Sequence, residues 1–296
     1  MKGNGKEAEA TLGFIGTGVM GRSMALHLLN AGHDLVITTR TRSKALEVEK
    51  AGARFVGTAA EVARSAEVVM TMVGFPEDVE EVYFGKEGLF SALCHGHLLV
   101  DLTTSRPDLA MRIAEKAAEQ GAAALDAPVS GGDAGARAGT LSIMVGGSEQ
   151  AFQRALPFLQ CFSTTLLRQG SAGRGQYCKM SNQIAIAAGM VAVCESLAYA
   201  EKAGLDPKTV LKSISGGAAG SWSLSHLAPR MLEGDFAPGF YVKHFRKDLR
   251  IALESAQQMD LELPGLQLAS RMYERLEKEG HGDEGTQALW RLFMPS

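Results

Sequence analysis

The chain has 296 residues, 46% of them hydrophobic and 21% charged, with 30 basic against 33 acidic side chains and a formal net charge of -3. That length suffices for two domains with separate cores, and the composition is that of an ordinary soluble globular protein. The near-neutral balance supplies no general pull toward nucleic acid or an anionic membrane, so neither is expected as a partner.

Residues 1–10 are polar and lack the apolar core of a signal peptide, and are expected to form a disordered leader. The four cysteines, Cys94, Cys161, Cys178 and Cys194, show neither CxxC pairing nor metal-ligand spacing, which points to free thiols, no metal and a cytoplasmic location. The apolar run Ile184 to Val193 reads as too short and too interrupted to span a bilayer.

From residue 11 the pattern alternates short apolar runs with helical stretches, as in a parallel sheet covered by helices. Strands are predicted at 11–15, 34–38, 54–56, 68–73, 98–101, 123–126 and 141–145, with helices over 21–31 and 43–51 between the early ones. After about Gly170 the strand-like runs stop. A long helix is predicted over 176–203, punctuated by Gly175 and Gly204, and others start at Asp206-Pro207, at 248–259 and at 265–278.

Gly16-Thr17-Gly18-Val19-Met20-Gly21 follows the first strand and opens the first helix. The spacing allows a tight turn at the first glycine, backbone approach to a pyrophosphate at the second and close helix–strand packing at the third, with the helix N-terminus favouring the anion. A bare GxGxxG also fits a glycine-rich turn that binds nothing, or a methyltransferase loop; the strand before it and the helix after it favour a dinucleotide. The second strand ends Ile37-Thr38-Thr39-Arg40-Thr41-Arg42, without the Asp or Glu that binds a ribose 2′-hydroxyl. Arg40, Arg42 and the Thr41 hydroxyl suit a 2′-phosphate, so NADP is expected, with NAD open as a second choice.

These residues resemble the β-hydroxyacid dehydrogenases, which include 3-hydroxyisobutyrate dehydrogenase, tartronate semialdehyde reductase and the glyoxylate and succinic semialdehyde reductases. Four motifs carry the resemblance in order: Gly13-Phe14-Ile15-Gly16-Thr17-Gly18-Val19-Met20-Gly21; Asp126-Ala127-Pro128-Val129-Ser130-Gly131-Gly132; Gly173-Arg174-Gly175 with Lys179 and Asn182; and Lys247-Asp248-Leu249. The resemblance implies an α/β N-terminal Rossmann domain followed by an all-α C-terminal domain, with an active site in the cleft between them. The domains are set at 11–170 for NADP binding and 171–296 for substrate and oligomerisation. It further implies a homodimer or homotetramer and a small carboxylate substrate.

Residue by residue, the resemblance makes Lys179 the catalytic residue. It places Ser130, Gly131 and Gly132 at the substrate carboxylate and Asn182 beside the substrate, with Phe240 and Asp248 near the active site. Gly16, Thr17, Gly18, Val19, Met20, Arg40 and Thr41 are expected on the cofactor, joined by Thr104 near the nicotinamide and Lys247 on the cofactor side. Val73 and Gly74 stand where the family chain passes the cofactor ribose, although the usual Leu-Pro is Val-Gly here. Many members carry Lys-x-x-Asn-Asn, whereas this chain has Lys179-Met180-Ser181-Asn182-Gln183, the Asn-Gln ending common in tartronate semialdehyde reductases.

Read without the family, Lys179, Asn182 and Gln183 share one helix face, since positions three and four apart are neighbours. A lysine on a helix otherwise rich in Ile, Ala, Met and Val is partly desolvated, which lowers its pKa and suits proton transfer near neutral pH; on spacing alone it is equally a lysine snorkelling from a helix edge. Ser130-Gly131-Gly132 reads as a loop beyond a strand end, where two glycines and a hydroxyl offer donors to an anion. His95-Gly96-His97 lacks a third metal ligand, Cys178 has no partner base, and Trp222, Phe236 and Tyr241 are assigned to core packing. Two other readings use the same fold, a non-catalytic dinucleotide-binding module and an imine reductase; Lys179 argues against both.

Overall fold

The computed structural model describes residues 11–294, so the expected leader at 1–10 lies outside the described residues. Up to Lys179 the chain forms one unit and from Met180 a second, the division falling inside one continuous helix, Arg174–Lys202.

The first unit is built on strands β1 (Leu12–Ile15), β2 (Leu35–Thr38), β3 (Arg54–Phe55), β4 (Val68–Thr71), β5 (Leu98–Asp101), β6 (Ala123–Asp126), β7 (Val129–Ser130), β8 (Leu141–Gly146) and β9 (Ser163–Gly170). They lie in the order β3-β2-β1-β4-β5-β6-β8-β7, with β9 added on β8. The first six run parallel, β1 pairing Leu12 with Leu35 of β2 and with Val68 of β4. This is the 3-2-1-4-5-6 order of a dinucleotide fold, and the chain reverses direction across the sheet between β1 and β4.

The strands read as continuous apolar runs because both sheet faces are covered. Leu12, Phe14, Ile37 and Met70 face Met24 and Leu28 of the helix Val19–Asn30 in one core cluster. Ile15, Val36, Val69 and Leu99 face Val62 of Ala59–Ser65 and Val79 and Tyr83 of Pro76–Phe84 in another. Each such side chain, fully buried, contributes about 1.5–3 kcal/mol.

Two strands escape the sequence reading. β7 is a two-residue strand, and β9 lies at the sheet edge with most of its residues exposed or half-exposed, so it shows no apolar run. Seven strands, from β1 to β6 and β8, fall where the pattern predicts them, within two residues at each end.

The second unit is helical. Beyond Met180 the long helix runs to Lys202 and is followed by Pro207–Ile214, Ala228–Leu232, Val242–Gln258 and Pro264–Leu276. Met190, Cys194 and Leu197 pack with Phe245, Leu249 and Tyr273 in its core, Phe245 and Tyr273 meeting edge to face at 4.9 Å. Val242–Gln258 starts six residues before the predicted Asp248, because the buried positions Val242, Phe245, Leu249, Ala252 and Ala256 keep helical phase through a basic stretch that hides it. By length and composition the whole helix Arg174–Lys202, longer than the run Ile184 to Val193, is long and apolar enough to cross a bilayer. Here its apolar side chains instead fill the core of the second unit.

Candidate functional site

The cofactor candidates of the first unit gather along the carboxyl edge of its parallel strands, where open α/β sheets bind ligands. Gly16 to Met20 follow β1, Arg40 and Thr41 follow β2, Val73 and Gly74 follow β4, and Thr104 follows β5. The Gly16 amide donates to the Thr38 carbonyl at 2.8 Å, and the Val73 amide donates to the Thr103 hydroxyl at 3.0 Å, which ties neighbouring loops together.

The three glycines of the loop have different reasons. Gly16 has φ +96°, and a Cβ there would lie 2.2 Å from the Met72 carbonyl oxygen. A Cβ at Gly21 would lie 2.0 Å from the Gly16 oxygen, so the first helix turn can press on β1 only without a side chain. At Gly18 a Cβ would meet nothing within 4 Å, so this glycine answers no packing need and leaves the backbone open on its outer side.

The helix Val19–Asn30 has no side-chain cap and no acidic residue in its first turn, and the buried Thr17 hydroxyl finds no protein partner. An open, uncapped helix N-terminus with spare donors fits a dinucleotide pyrophosphate.

The two arginines after β2 are not equivalent. Arg42 pairs with Glu49 through both guanidinium nitrogens and lies over the Phe55 ring, 4.1 Å from its centroid. The expectation that it faces a 2′-phosphate competes with these partners, which lie on the short helix Leu46–Lys50 and on β3. The Arg40 side chain is 86% exposed and meets Asp78 at 2.8 Å.

Ser130-Gly131-Gly132 is not a loop. Ser130 pairs with Ser142 across β7 and β8, and Gly132 already begins the helix Gly132–Ala138. Gly131 and Gly132 have φ +132° and +60°, backbone that side chains rarely adopt, so the sharp strand-to-helix reversal itself requires them.

The Gly173-Arg174-Gly175 motif is explained by Asp126. At the end of β6 its buried carboxylate accepts from the Gly173 amide at 2.7 Å and the Gln176 amide at 2.8 Å, capping the long helix from across the fold. Gly175 is not helix punctuation. A Cβ there would lie 2.4 Å from the Met144 oxygen and 2.5 Å from the Asp126 oxygen, so its absence lets the helix start pressed against the sheet.

Burial pushes the Asp126 pKa from 3.8 up to about 6, the backbone donors opposing it only in part. Between these values the folded chain holds a proton that the unfolded chain has lost. The Asp126 contribution to stability is therefore full below pH 3.8 and is lost as pH rises through about 6. Between pH 4 and pH 7 the wild type should lose roughly 2.5 kcal/mol more stability than Asp126→Asn, which cannot ionise. Denaturant melts of both proteins across that range check this, and parallel stability curves would sink it.

Lys179 follows on the same helix and is 6% exposed. Gln176, one turn before it, is fully buried, a residue that the sequence reading missed; its only signal is a polar side chain three positions before the lysine. Beside Lys179, burial raises the Cys178 thiol pKa, opposed in part by the charge of Lys179, which disfavours the thiolate that a nucleophile needs.

In the second unit a polar chain links three of the candidates. The Asn182 amide donates to Gln183 at 2.7 Å, and Gln183 donates to the buried Asp248 carboxylate at 2.6 Å. The other Asp248 oxygen is held by the Lys247 ammonium at 3.1 Å, as an ion pair rather than an aligned hydrogen bond. The length of the Gln183 side chain gives its amide the reach to Asp248. Phe240 is half-buried and packs edge to face on Phe245 at 5.8 Å. Trp222, assigned to the core by sequence, is instead 64% exposed and stacks on His226. His97 spends both ring nitrogens on the backbone of Cys94 and Ala63.

Comparison with known proteins agrees with this geometry. Residues 11–170 match the family described as the NAD binding domain of 6-phosphogluconate dehydrogenase, and residues 173–293 match that described as NAD-binding of NADP-dependent 3-hydroxyisobutyrate dehydrogenase. An uncharacterized oxidoreductase of Bacillus subtilis is 55% identical over 284 residues, spanning 96% of this chain and 99% of its own. The 2-hydroxy-3-oxopropionate reductase of Escherichia coli is 41% identical over 269 residues, spanning 91% of this chain and 92% of its own. The solved structure of Mycobacterium tuberculosis 3-hydroxyisobutyrate dehydrogenase with L-serine superposes with a TM-score of 0.90 at 29% identity, covering 97% of this chain and all of that one. With both halves matched and relatives aligned almost end to end, the chain belongs to the β-hydroxyacid dehydrogenase family, as an oxidoreductase that uses a nicotinamide dinucleotide.

Proposed function

We propose that the protein interconverts a small β-hydroxy acid and its semialdehyde with NADP(H), using Lys179 as general acid and base. The observation that carries this reading is a lysine only 6% exposed, on the helix that Asp126 anchors to the carboxyl edge of the dinucleotide-type sheet. When bound, the nicotinamide supplies or accepts the hydride. Gly16, Thr17, Gly18, Val19 and Met20 would hold the pyrophosphate, Arg40 and Thr41 the adenosine side, and Val73, Gly74, Thr104 and Lys247 the rest of the cofactor.

In reduction, Lys179 gives a proton to the carbonyl oxygen of the substrate. In oxidation it takes the proton of the hydroxyl group. Ser130 and the backbone of Gly131 and Gly132 hold the substrate carboxylate, and Asn182 orients the reacting oxygen. Asp248 acts through Gln183, which fixes the Asn182 amide, while Phe240 supports the same segment from its packing on Phe245. The relatives named 3-hydroxyisobutyrate dehydrogenase and 2-hydroxy-3-oxopropionate reductase support a substrate of three or four carbons with a carboxylate.

A panel of such hydroxy acids and semialdehydes, assayed by nicotinamide absorbance with each cofactor, tests the reading. kcat/KM should be higher with NADP(H). Arg40→Ala should cut that preference about tenfold, the loss of one charge-assisted contact. Arg42→Ala should change it far less, because Glu49 and Phe55 already hold that side chain. Equal kcat/KM for the two cofactors, or an unchanged ratio in Arg40→Ala, would refute the cofactor assignment.

A further inference from the structure

Gln176 makes more bonds to the segment after β5 than a helix residue needs. Its side-chain Nε2 donates to the Thr103 carbonyl at 2.7 Å, and its Oε1 accepts from the Ser105 amide at 3.0 Å. One amide thus grips the backbone on both sides of Thr104. Its own backbone amide donates to Asp126 at 2.8 Å. Gln176 is fully buried, and Thr103 and Ser105 are each 1% exposed, so water does not compete for these bonds.

The gripped segment is itself braced. The Thr103 amide donates to Asp101 at 3.0 Å, and the Thr103 hydroxyl accepts from Val73. Only Thr104, half-buried, lies between the two clasped groups. On the helix, Gln176 and Lys179 stand three residues apart and so share a face. A glutamine has one donor and one acceptor end at the separation this grip uses. A methionine of similar size has neither, and a glutamate has only acceptors.

We infer that Gln176 is a positioning residue, whose side-chain amide clasps the backbone on either side of Thr104 and ties that segment to the helix turn carrying Lys179. This rests on the function proposed above, in which Thr104 lies near the nicotinamide and Lys179 handles the proton. The clasp sets the two in register, so its loss reduces the rate of the chemical step more than it weakens cofactor binding.

The test is a double-mutant cycle of Gln176→Met and Thr104→Ala, with kcat measured on the best substrate and NADP(H) affinity measured by fluorescence titration. Gln176→Met should lower kcat at least tenfold and change the cofactor Kd less than threefold. In the Thr104→Ala background the same substitution should lower kcat by less than threefold, because the residue acts through Thr104. A purely structural role gives the same fold loss in both backgrounds, and that result overturns the inference, as does an unchanged kcat in folded Gln176→Met. If Gln176→Met does not fold, Gln176→Glu replaces it in the cycle, keeping the acceptor for Ser105 and removing the donor to Thr103. A wild type without turnover on any hydroxy acid or semialdehyde overturns the proposed function itself, whereas an active wild type with an additive cycle overturns only the role of Gln176.

Discussion

Asp248→Leu should unfold the helical unit far more easily than a surface substitution would. The Lys247 and Asp248 side chains are 6% and 1% exposed, and Asp248→Leu removes the carboxylate beside the buried Lys247 ammonium. Breaking such a pair costs about 3–5 kcal/mol, and Gln183 loses its acceptor as well. The melting temperature should fall by on the order of 10 °C. Replacing both members, Lys247→Met with Asp248→Leu, should recover most of the loss, because a buried pair exchanged for apolar groups of similar size is close to neutral. Calorimetry of the three proteins decides the matter: if the single variant melts with the wild type, the ion pair is not a structural element of this unit.

Much of this architecture is legible in the sequence because its signals are local. The parallel strands announce themselves as apolar runs, and the glycine loop as a fixed spacing between a strand and a helix. The reasons behind the other motifs are long-range and so are hidden. Gly173 and Gly175 can be read as part of a motif, but that the Gly173 amide donates to Asp126 and that Gly175 lets the helix press against Asp126 and Met144 appears only in three dimensions. Gln176 looks like any polar helix residue until its partners at Thr103 and Ser105, about seventy positions away, are known. Arg42 looks as suitable for a phosphate as Arg40, since nothing in the order of residues says that Glu49 and Phe55 will claim it. The edge strand β9 fails for a different reason: an exposed strand carries no burial pattern to read.

Lys179→Ala should bind NADP(H) with affinity close to that of the wild type and lose most of its turnover. The cofactor contacts proposed here lie on other residues, whereas the proton that must leave or join the substrate oxygen has Lys179 as its assigned carrier. General acid–base catalysis of this kind contributes ~10²–10⁴-fold. Lys179→Arg should restore little, because a guanidinium stays protonated and its planar fork occupies the position differently. Asn182→Ala should be milder than either, since the role proposed for that amide is to orient the substrate and not to transfer a proton. The most direct measurement is kcat of Lys179→Ala on the best substrate at saturating NADP(H). A fall of at least ~100-fold with cofactor affinity retained is the predicted result, and a kcat near the wild-type value would contradict the proposed mechanism.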